Sequence, residues 1–237
     1  MIENIKNNFS LKYHQKKGMK YLSQGLYKKA ILNFEKALLL DDSIENYFYF
    51  SVCLIALNRH IEAIGYLEKI IDLQADNILV SATLIECYLV VREWEKADRL
   101  VNYLKNNNNT NQYIKDLITL VDDPVLREKY ATAKESFFKA IDFYDNKDFE
   151  SAFQSIKLAI DLDEQNAAYY FFAGTILIHI LKRNKKSPDS SGMTFTKDKL
   201  EQTRQEMLLL FEKSVLLAPQ NEGYKKHLQY VKTRYKG

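Results

Sequence analysis

The chain has 237 residues, 46% of them hydrophobic, which is enough apolar material for one elongated domain or two small ones. Only 7 glycines and 3 prolines are present, and this scarcity argues against an all-β or α/β fold and favours helices joined by short connections. The formal net charge of +3 gives no general argument for nucleic-acid binding, which usually requires a strongly basic domain. The two cysteines, Cys53 and Cys87, are too few for a disulfide framework and indicate a reducing compartment, so we expect a cytoplasmic protein.

No targeting or membrane segment is predicted. Residues 1–20 contain no apolar run of signal-peptide length. The most apolar stretch, residues 167–181, falls short of the roughly 18–20 residues that cross a bilayer. Because a basic cluster follows it at Lys182, Arg183, Lys185 and Lys186, a membrane segment stays an alternative to the preferred buried helix.

An internal repeat organises the chain. In each copy a small residue is followed four positions later by a bulky apolar residue, and three positions after that by a third site. Spacings of four and three place all three sites on one face of a helix. The triplets are Ala30/Phe34/Ala37, Ala63/Leu67/Ile70, Ala97/Val101/Leu104 and Ala152/Ile156/Ala159.

The copies recur with a regular period. The first alanine of the triplet moves by 33 residues from Ala30 to Ala63 and by 34 from Ala63 to Ala97. The next step, from Ala97 to Ala152, is 55 residues, which equals 34 plus an insertion of 21. A fixed period in this range is typical of repeat proteins built from helical hairpins.

Residues 11–44 carry the clearest copy. Its characteristic positions are Gly18 and Tyr21 in the first helix, Gly25 and Tyr27 at the turn, and Ala30, Phe34 and Ala37 in the second helix. Small residues let two helix backbones approach closely, and Phe34 and Tyr21 then fill the adjacent gaps. In this pattern the chain resembles the tetratricopeptide repeat family, whose unit is a 34-residue helix–turn–helix. The resemblance implies an all-α, right-handed α-α superhelical solenoid of about five such repeats with a C-terminal capping helix.

The middle of the chain departs from the pattern. Ile85 stands where the third copy should have a small residue, and the asparagine run at residues 106–109 breaks the phase. Residues 113–121 are predicted as one short helix that stops before Pro124. This break allows one continuous superhelix, which we prefer, or two stacks near residues 1–105 and 125–237.

A fifth copy is predicted to be split by an insertion. Asn166 is a plausible N-cap for its first helix, which contains Tyr170 and Gly174. Its second helix carries Met207, Phe211 and Ser214, and the polar residues in between are predicted to form a mobile loop. The expected organisation is therefore repeats one to three in 1–111, an inserted helix and connection in 112–132, repeats four and five in 133–221 with the loop near 183–197, and a capping helix in 222–237.

The resemblance also implies where a partner would bind, since the first helices of such repeats line a concave groove. The expected lining is Met19, Leu22, Phe48, Val52, Ile55, Leu79, Glu86, Leu89, Phe137, Ile141, Tyr144 and Phe171. Large exposed apolar patches usually mark interaction sites. The resemblance implies a non-catalytic protein–protein interaction module, such as an adaptor, assembly factor or chaperone, and the apolar lining predicts that it takes an apolar or amphipathic segment.

Two alternatives to an open groove remain. The chain's own insertions, the helix at 113–121 or the C-terminal helix could fill it. Self-association is the second alternative, with the protein as a structural scaffold that oligomerises through its repeats.

No catalytic or metal-binding motif is evident in the sequence. The four histidines are scattered, no glycine-rich phosphate loop is present, and Cys53 and Cys87 fall at the same position of successive repeats, which indicates packing. We therefore expect neither enzymatic activity nor a cofactor or metal. The basic clusters at 182–186 and near the C-terminus are interpreted as solvated faces, so the expected partner is a protein or peptide rather than nucleic acid or membrane.

Overall fold

The computed structural model describes the backbone of residues 2–106, 111–186 and 196–235, and the side chains of 7–106, 111–184 and 196–235. Every regular element in these ranges is a helix, and the predicted all-α class is confirmed. The helices are α1 (Ile2–Ser23), α2 (Tyr27–Leu38), α3 (Ile44–Ala56), α4 (His60–Leu73), α5 (Ile78–Val90), α6 (Trp94–Asn106), α7 (Gln112–Asp122), α8 (Pro124–Asp145), α9 (Phe149–Leu162), α10 (Ala167–Lys186), α11 (Lys197–Leu217) and α12 (Glu222–Arg234). Most of the asparagine run and of the predicted mobile loop lies outside the described residues.

Polar side chains start several of these helices. Asn77, Asp148, Thr196 and Asn221 each accept a hydrogen bond from the backbone N–H three residues later, at 3.1–3.2 Å. Such caps satisfy one of the backbone donors that a helix start leaves unpaired, and each contributes roughly 1 kcal/mol. At these four helices, the local sequence therefore specifies where the helix begins.

One turn recurs between the two helices of each of the first four repeats. Its central residue is Gly25, Asn58, Arg92 or Lys147, and all four have a positive φ of 59–69°. In each copy the next N–H bonds to the carbonyl five residues earlier at 2.8–2.9 Å, which is the hydrogen bond of a left-handed helix C-terminus. Because the four turns follow the same period as the sequence triplets, the backbone confirms the repeat independently of the side chains.

The repeat triplets form the core. All twelve of the residues in the four predicted triplets are at most 2% exposed. Ile85, which departs from the small-residue pattern, is also fully buried, so the third repeat accommodates a larger side chain at this position. The periodic alanines and bulky residues are therefore the residues along which each helical hairpin packs.

The chain divides into two compact units. The first is Met1–Ala131 and the second is Thr132–Gly237, so α8 begins in the first and ends in the second. In the first unit α7 packs into the core with Ile114, Leu117 and Val121, which confirms the single helix predicted before Pro124. No helix in the described ranges is both long and apolar enough to cross a membrane.

In the second unit α10 and α11, the two helices predicted to form the split fifth repeat, pack together. Asn166 accepts a hydrogen bond from the N–H of Ala168 at the start of α10. Met207, Phe211 and Ser214 of α11 are fully buried, and the ring of Phe211 lies directly against Gly174 of α10. The two halves of this repeat therefore pack as a hairpin although an insertion separates them along the chain.

Candidate functional site

The recurring turn sets the register of the predicted groove residues. Met19, Val52, Glu86 and Ile141 each lie six residues before the left-handed residue of their turn. Leu22, Ile55, Leu89 and Tyr144 each lie three residues before it. These positions are therefore equivalent in successive first helices, and their exposure shows which of them are available to a partner.

A buried polar contact holds α1 beside α3. The Nε2 of Gln15 donates to Oδ1 of Asn46 at 2.9 Å, and Asn46 itself is fully buried. The Nδ2 of Asn46 donates in turn to the backbone oxygen of Asp41 at 2.9 Å and to its Oδ2 at 3.1 Å. Because a buried amide without partners is costly, this network fixes both the position of α1 against α3 and the connection before α3.

The first two repeats present an apolar surface next to this network. Met19 is 39% exposed, and Leu22, Phe48, Val52 and Ile55 are half-buried. We call these five side chains the α1–α3 face. Phe48 packs against the core of the first unit and meets the edge of Tyr49 at a ring-centroid distance of 5.8 Å, so it is held from behind while its outer side is open.

The third repeat contributes less than the sequence suggests. Leu79 is 60% exposed, but Leu89 is fully buried in the core, so the prediction that Leu89 faces a groove is wrong. Glu86 accepts a hydrogen bond from the Oη of Tyr113 on α7 at 2.7 Å. Burial, together with this hydrogen bond, raises the pKa of Tyr113. The chain's own α7 therefore already engages Glu86.

In the second unit the predicted groove residues Phe137 and Tyr144 of α8 contact side chains of α10. Phe137 lies 5.0 Å from Tyr169 between ring centroids, and Ile141 is half-buried. The Oη of Tyr144 hydrogen-bonds Nε2 of His179 at 2.9 Å. Contacts within the second unit therefore already use part of the side-chain surface of Phe137 and Tyr144.

The C-terminal helix covers Phe171. Its ring stacks on Tyr224 of α12, with centroids 4.5 Å apart and planes inclined by 16°. His227 of the same helix lies against both Phe171 and Phe211, at 5.1 and 4.9 Å. The expectation that Phe171 lines an open groove is corrected: α12 packs on it as a capping helix would.

The side chains brought together at this surface offer apolar contact and hydrogen bonding. Within the described ranges, no group of three or more histidines, cysteines or acidic residues could hold a metal ion. Cys53 and Cys87 are buried, and desolvation raises the pKa of each thiol to about 12. Both thiols therefore pack in the core at the equivalent positions that their spacing indicated.

Two contacts at the site were not anticipated from the sequence. The Gln15–Asn46 hydrogen bond joins residues 31 positions apart, and Tyr113 reaches Glu86 over 27 positions. The one sequence signal for the Gln15–Asn46 hydrogen bond is that a buried asparagine needs hydrogen-bond partners. No local sequence pattern indicates that Tyr113 and Glu86 are in contact.

The recurring turns and the buried triplets show a fold built from repeated helical hairpins. Residues 11–43 match the family model described as tetratricopeptide repeat. This clearest copy is therefore similar to a tetratricopeptide repeat, and more divergent copies of the same helical hairpin follow it along the chain. No curated protein matches the chain.

Several solved structures resemble the chain at low identity. MamA from Desulfovibrio magneticus RS-1, residues 41 to the end, is 13% identical with a TM-score of 0.38, and the match covers 90% of this chain and 97% of that one. The P58(IPK) TPR domain is 16% identical with a TM-score of 0.43, covering 94% and 64%. A TPR repeats protein from Bacteroides fragilis NCTC 9343 is 14% identical with a TM-score of 0.40, covering 94% and 98%.

Proposed function

We propose that this protein is a non-catalytic binding module that takes an apolar or amphipathic segment of a partner protein on the α1–α3 face. The observation that carries the proposal is the placement of Met19, Phe48, Val52 and Ile55. These side chains stand on two adjacent first helices that a buried hydrogen bond locks together, and their outer surfaces are open. A rigid apolar surface of this kind loses little conformational entropy when a partner covers it.

The partly buried state of these side chains supports a role as anchors. Phe48 and Ile55 already pack against the core of the unit, so their rotamers are restrained before binding. Apolar side chains that are fixed in this way commonly dominate binding energy, and truncation of one typically costs about 1–2 kcal/mol. Leu79, exposed at the start of α5, would extend the same contact to a third repeat.

Affinity capture from native lysate tests the proposal with a matched pair of variants. The test variant is Phe48→Ser/Ile55→Ser on α3, and the control is Ile61→Ser/Leu73→Ser on α4 of the same repeat. Ile61 and Leu73 are exposed on the second helix of that hairpin, away from the α1–α3 face. Circular dichroism establishes that both variants keep the helix content of the wild type.

A partner that the wild type and the α4 control retain, and that the α3 variant loses, supports the proposed face. Retention of the same proteins by both folded variants contradicts it, because the α1–α3 face would then contribute nothing to binding.

A further inference from the structure

The first hairpin of the protein has an unbalanced charge. Residues 7–40, which form most of α1 and all of α2, contain seven lysines and one carboxylate, Glu35. The next hairpin has the opposite balance, since residues 41–80 contain seven carboxylates against Arg59 and Lys69. The small net charge of the whole chain therefore conceals a strong positive charge at one edge of the α1–α3 face.

Three of these lysines share an arc of α1 with apolar side chains. At 3.6 residues per turn, Met19, Lys12, Lys16, Phe9, Lys20 and Tyr13 fall within about 120° of the helix circumference. All six side chains are exposed. Among the residues whose side chains are described, none forms an ion pair with Lys12, Lys16 or Lys20. We call this surface the α1 lysine arc.

The lysine arc borders the α1–α3 face directly. Gln15 lies next to Met19 on the helix circumference, and its hydrogen bond to Asn46 puts this side of α1 against α3. A segment that covers Phe48 and Val52 and continues towards the N-terminal edge of the unit therefore meets Lys12 and Lys16. A partner with negative charge at that end would gain electrostatic attraction that its apolar anchors alone do not provide.

The second hairpin restricts what kind of anion can bind. A nucleic acid or an anionic membrane presents negative charge continuously, and beyond the lysine arc it would meet Glu45 in the first turn of α3 and Asp42 just before that helix, both of which are exposed. Like charges brought together in this way oppose binding and steer such ligands away. A protein segment avoids this conflict because its charged residues can be confined to one end.

We infer that the partner segment is an acidic amphipathic peptide, with carboxylates that lie on the α1 lysine arc and bulky apolar residues that lie on α3. This inference rests on the proposed function and adds the charge and direction of the ligand. Packed helices have axes about 8–10 Å apart. An extended chain advances about 3.3 Å per residue, so its acidic residues precede or follow the apolar anchor by about three positions.

A library of random short peptides displayed on phage tests the inference with the full chain as bait. The expected enriched peptides carry aspartate or glutamate about three positions from a bulky apolar residue. Fluorescence anisotropy then measures the affinity of the enriched peptides for the wild type and two charge-reversal variants. The test variant is Lys12→Glu/Lys16→Glu, and the control is Lys28→Glu/Lys29→Glu, which changes the net charge equally in the first turn of α2, where glutamate suits the helix dipole.

The test variant should weaken binding by about tenfold, because it loses two ion pairs and gains repulsion, and the loss should shrink as salt is added. The control should change affinity less than about twofold. Equal weakening by both variants overturns the inference, since only net charge would then matter. Enrichment without acidic residues overturns it as well.

Two further probes separate this inference from its rivals. Binding of a single-stranded oligonucleotide or of phosphatidylserine vesicles that is lost in Lys12→Glu/Lys16→Glu would overturn the inference in favour of a general polyanion surface. If peptide binding is lost on substitution of Phe48 and Ile55 but not of Lys12 and Lys16, the proposed function is supported and the inference that the segment is acidic is overturned. Absence of any peptide that depends on Phe48 and Ile55 would contradict both.

Discussion

The ring of Phe34 lies so close to Gly18 that a β-carbon on Gly18 would stand 2.9 Å from its Cζ. The fifth repeat has the same relationship between Phe211 and Gly174, where the corresponding distance to Cζ is 2.8 Å. The two pairs differ in chain separation, because an insertion divides the fifth repeat. The glycine–phenylalanine contact is therefore a packing requirement of the hairpin, independent of how the two helices are connected.

Replacement of Gly18 by alanine should destabilise the first unit. The added methyl group must displace a fully buried ring, and overpacking of this kind costs about 1–3 kcal/mol, which outweighs the gain of up to about 1 kcal/mol in helix propensity. Urea unfolding followed by circular dichroism measures the change. A second variant, Gly18→Ala/Phe34→Leu, should recover part of the loss because leucine is smaller than phenylalanine.

Gly65→Ala provides the matched control. Gly65 lies inside α4, and a β-carbon there would have nothing within 4 Å. The alanine should stabilise the protein by about 0.5–1 kcal/mol through backbone entropy alone. If Gly18→Ala also stabilised the protein, the close approach of α1 and α2 around Phe34 would be wrong.

Lys147→Gly should stabilise the second unit. Lys147 has a φ of +64° at the turn between α8 and α9, where the equivalent residue of the first repeat is Gly25. A left-handed conformation costs a residue with a side chain about 1–2 kcal/mol more than it costs glycine. Glycine loses more backbone entropy on folding, and this offsets part of the difference, so Lys147→Gly should raise the free energy of unfolding by about 1 kcal/mol. The reverse change, Gly25→Ala, meets no atom within 4 Å and should lose about 1–2 kcal/mol from the backbone alone. Equal stability of Lys147→Gly and the wild type in urea would contradict the turn geometry.

The stability of the second unit should fall in mild acid. Burial lowers the pKa of His227, whose ring lies between Phe171 of α10 and Phe211 of α11. Burial and, to a smaller extent, Lys182 also lower the pKa of His179. Since both histidines bind protons more readily when unfolded, the free energy of unfolding is highest above the ordinary histidine pKa of about 6.5 and decreases as the pH drops below it.

Urea midpoints measured at about pH 7.5 and about pH 5 test this dependence on the wild type and on His227→Phe. Phenylalanine keeps an aromatic ring against Phe171 and Phe211 but cannot be protonated, so the variant should lose less stability in acid than the wild type. If the variant lost as much stability in acid as the wild type, protonation of His227 would not contribute to the pH dependence.

The two thiols should be unreactive in the folded protein. Cys53 and Cys87 are buried, and a pKa raised to about 12 leaves almost no thiolate, which is the reactive form. A thiol-specific disulfide reagent should therefore label neither residue until denaturant is added, and should label both afterwards. Rapid labelling of one thiol under native conditions would show that its helix opens locally.

The repeat core could be predicted from the sequence because each triplet needs only one helix face and a fixed period. Ala30, Phe34 and Ala37 are buried as expected, and even the split pair of Gly174 and Phe211 was identifiable. Helical spacing determines which side of a hairpin faces inward. It contains no information about helices that arrive later in the chain.

That missing information explains the errors in the predicted site. Leu89 has the register of a groove residue but lies in the core of the first unit, where α7 also packs. Phe171 is covered by α12 through Tyr224, a contact across 53 positions of the chain. Coverage by distant helices depends on packing angles, which neither the period nor the residue types specify.

The most direct test of the central claim is a titration of the captured partner segment into the wild type, Phe48→Ser/Ile55→Ser and Ile61→Ser/Leu73→Ser, each with its helix content established. The account predicts that the α3 variant binds at least about tenfold more weakly than the wild type, and that the α4 control binds within about twofold of it. Equal affinity of the α3 variant and the wild type would show that the partner binds elsewhere, and equal weakening of both variants would show that the effect is not specific to the α1–α3 face.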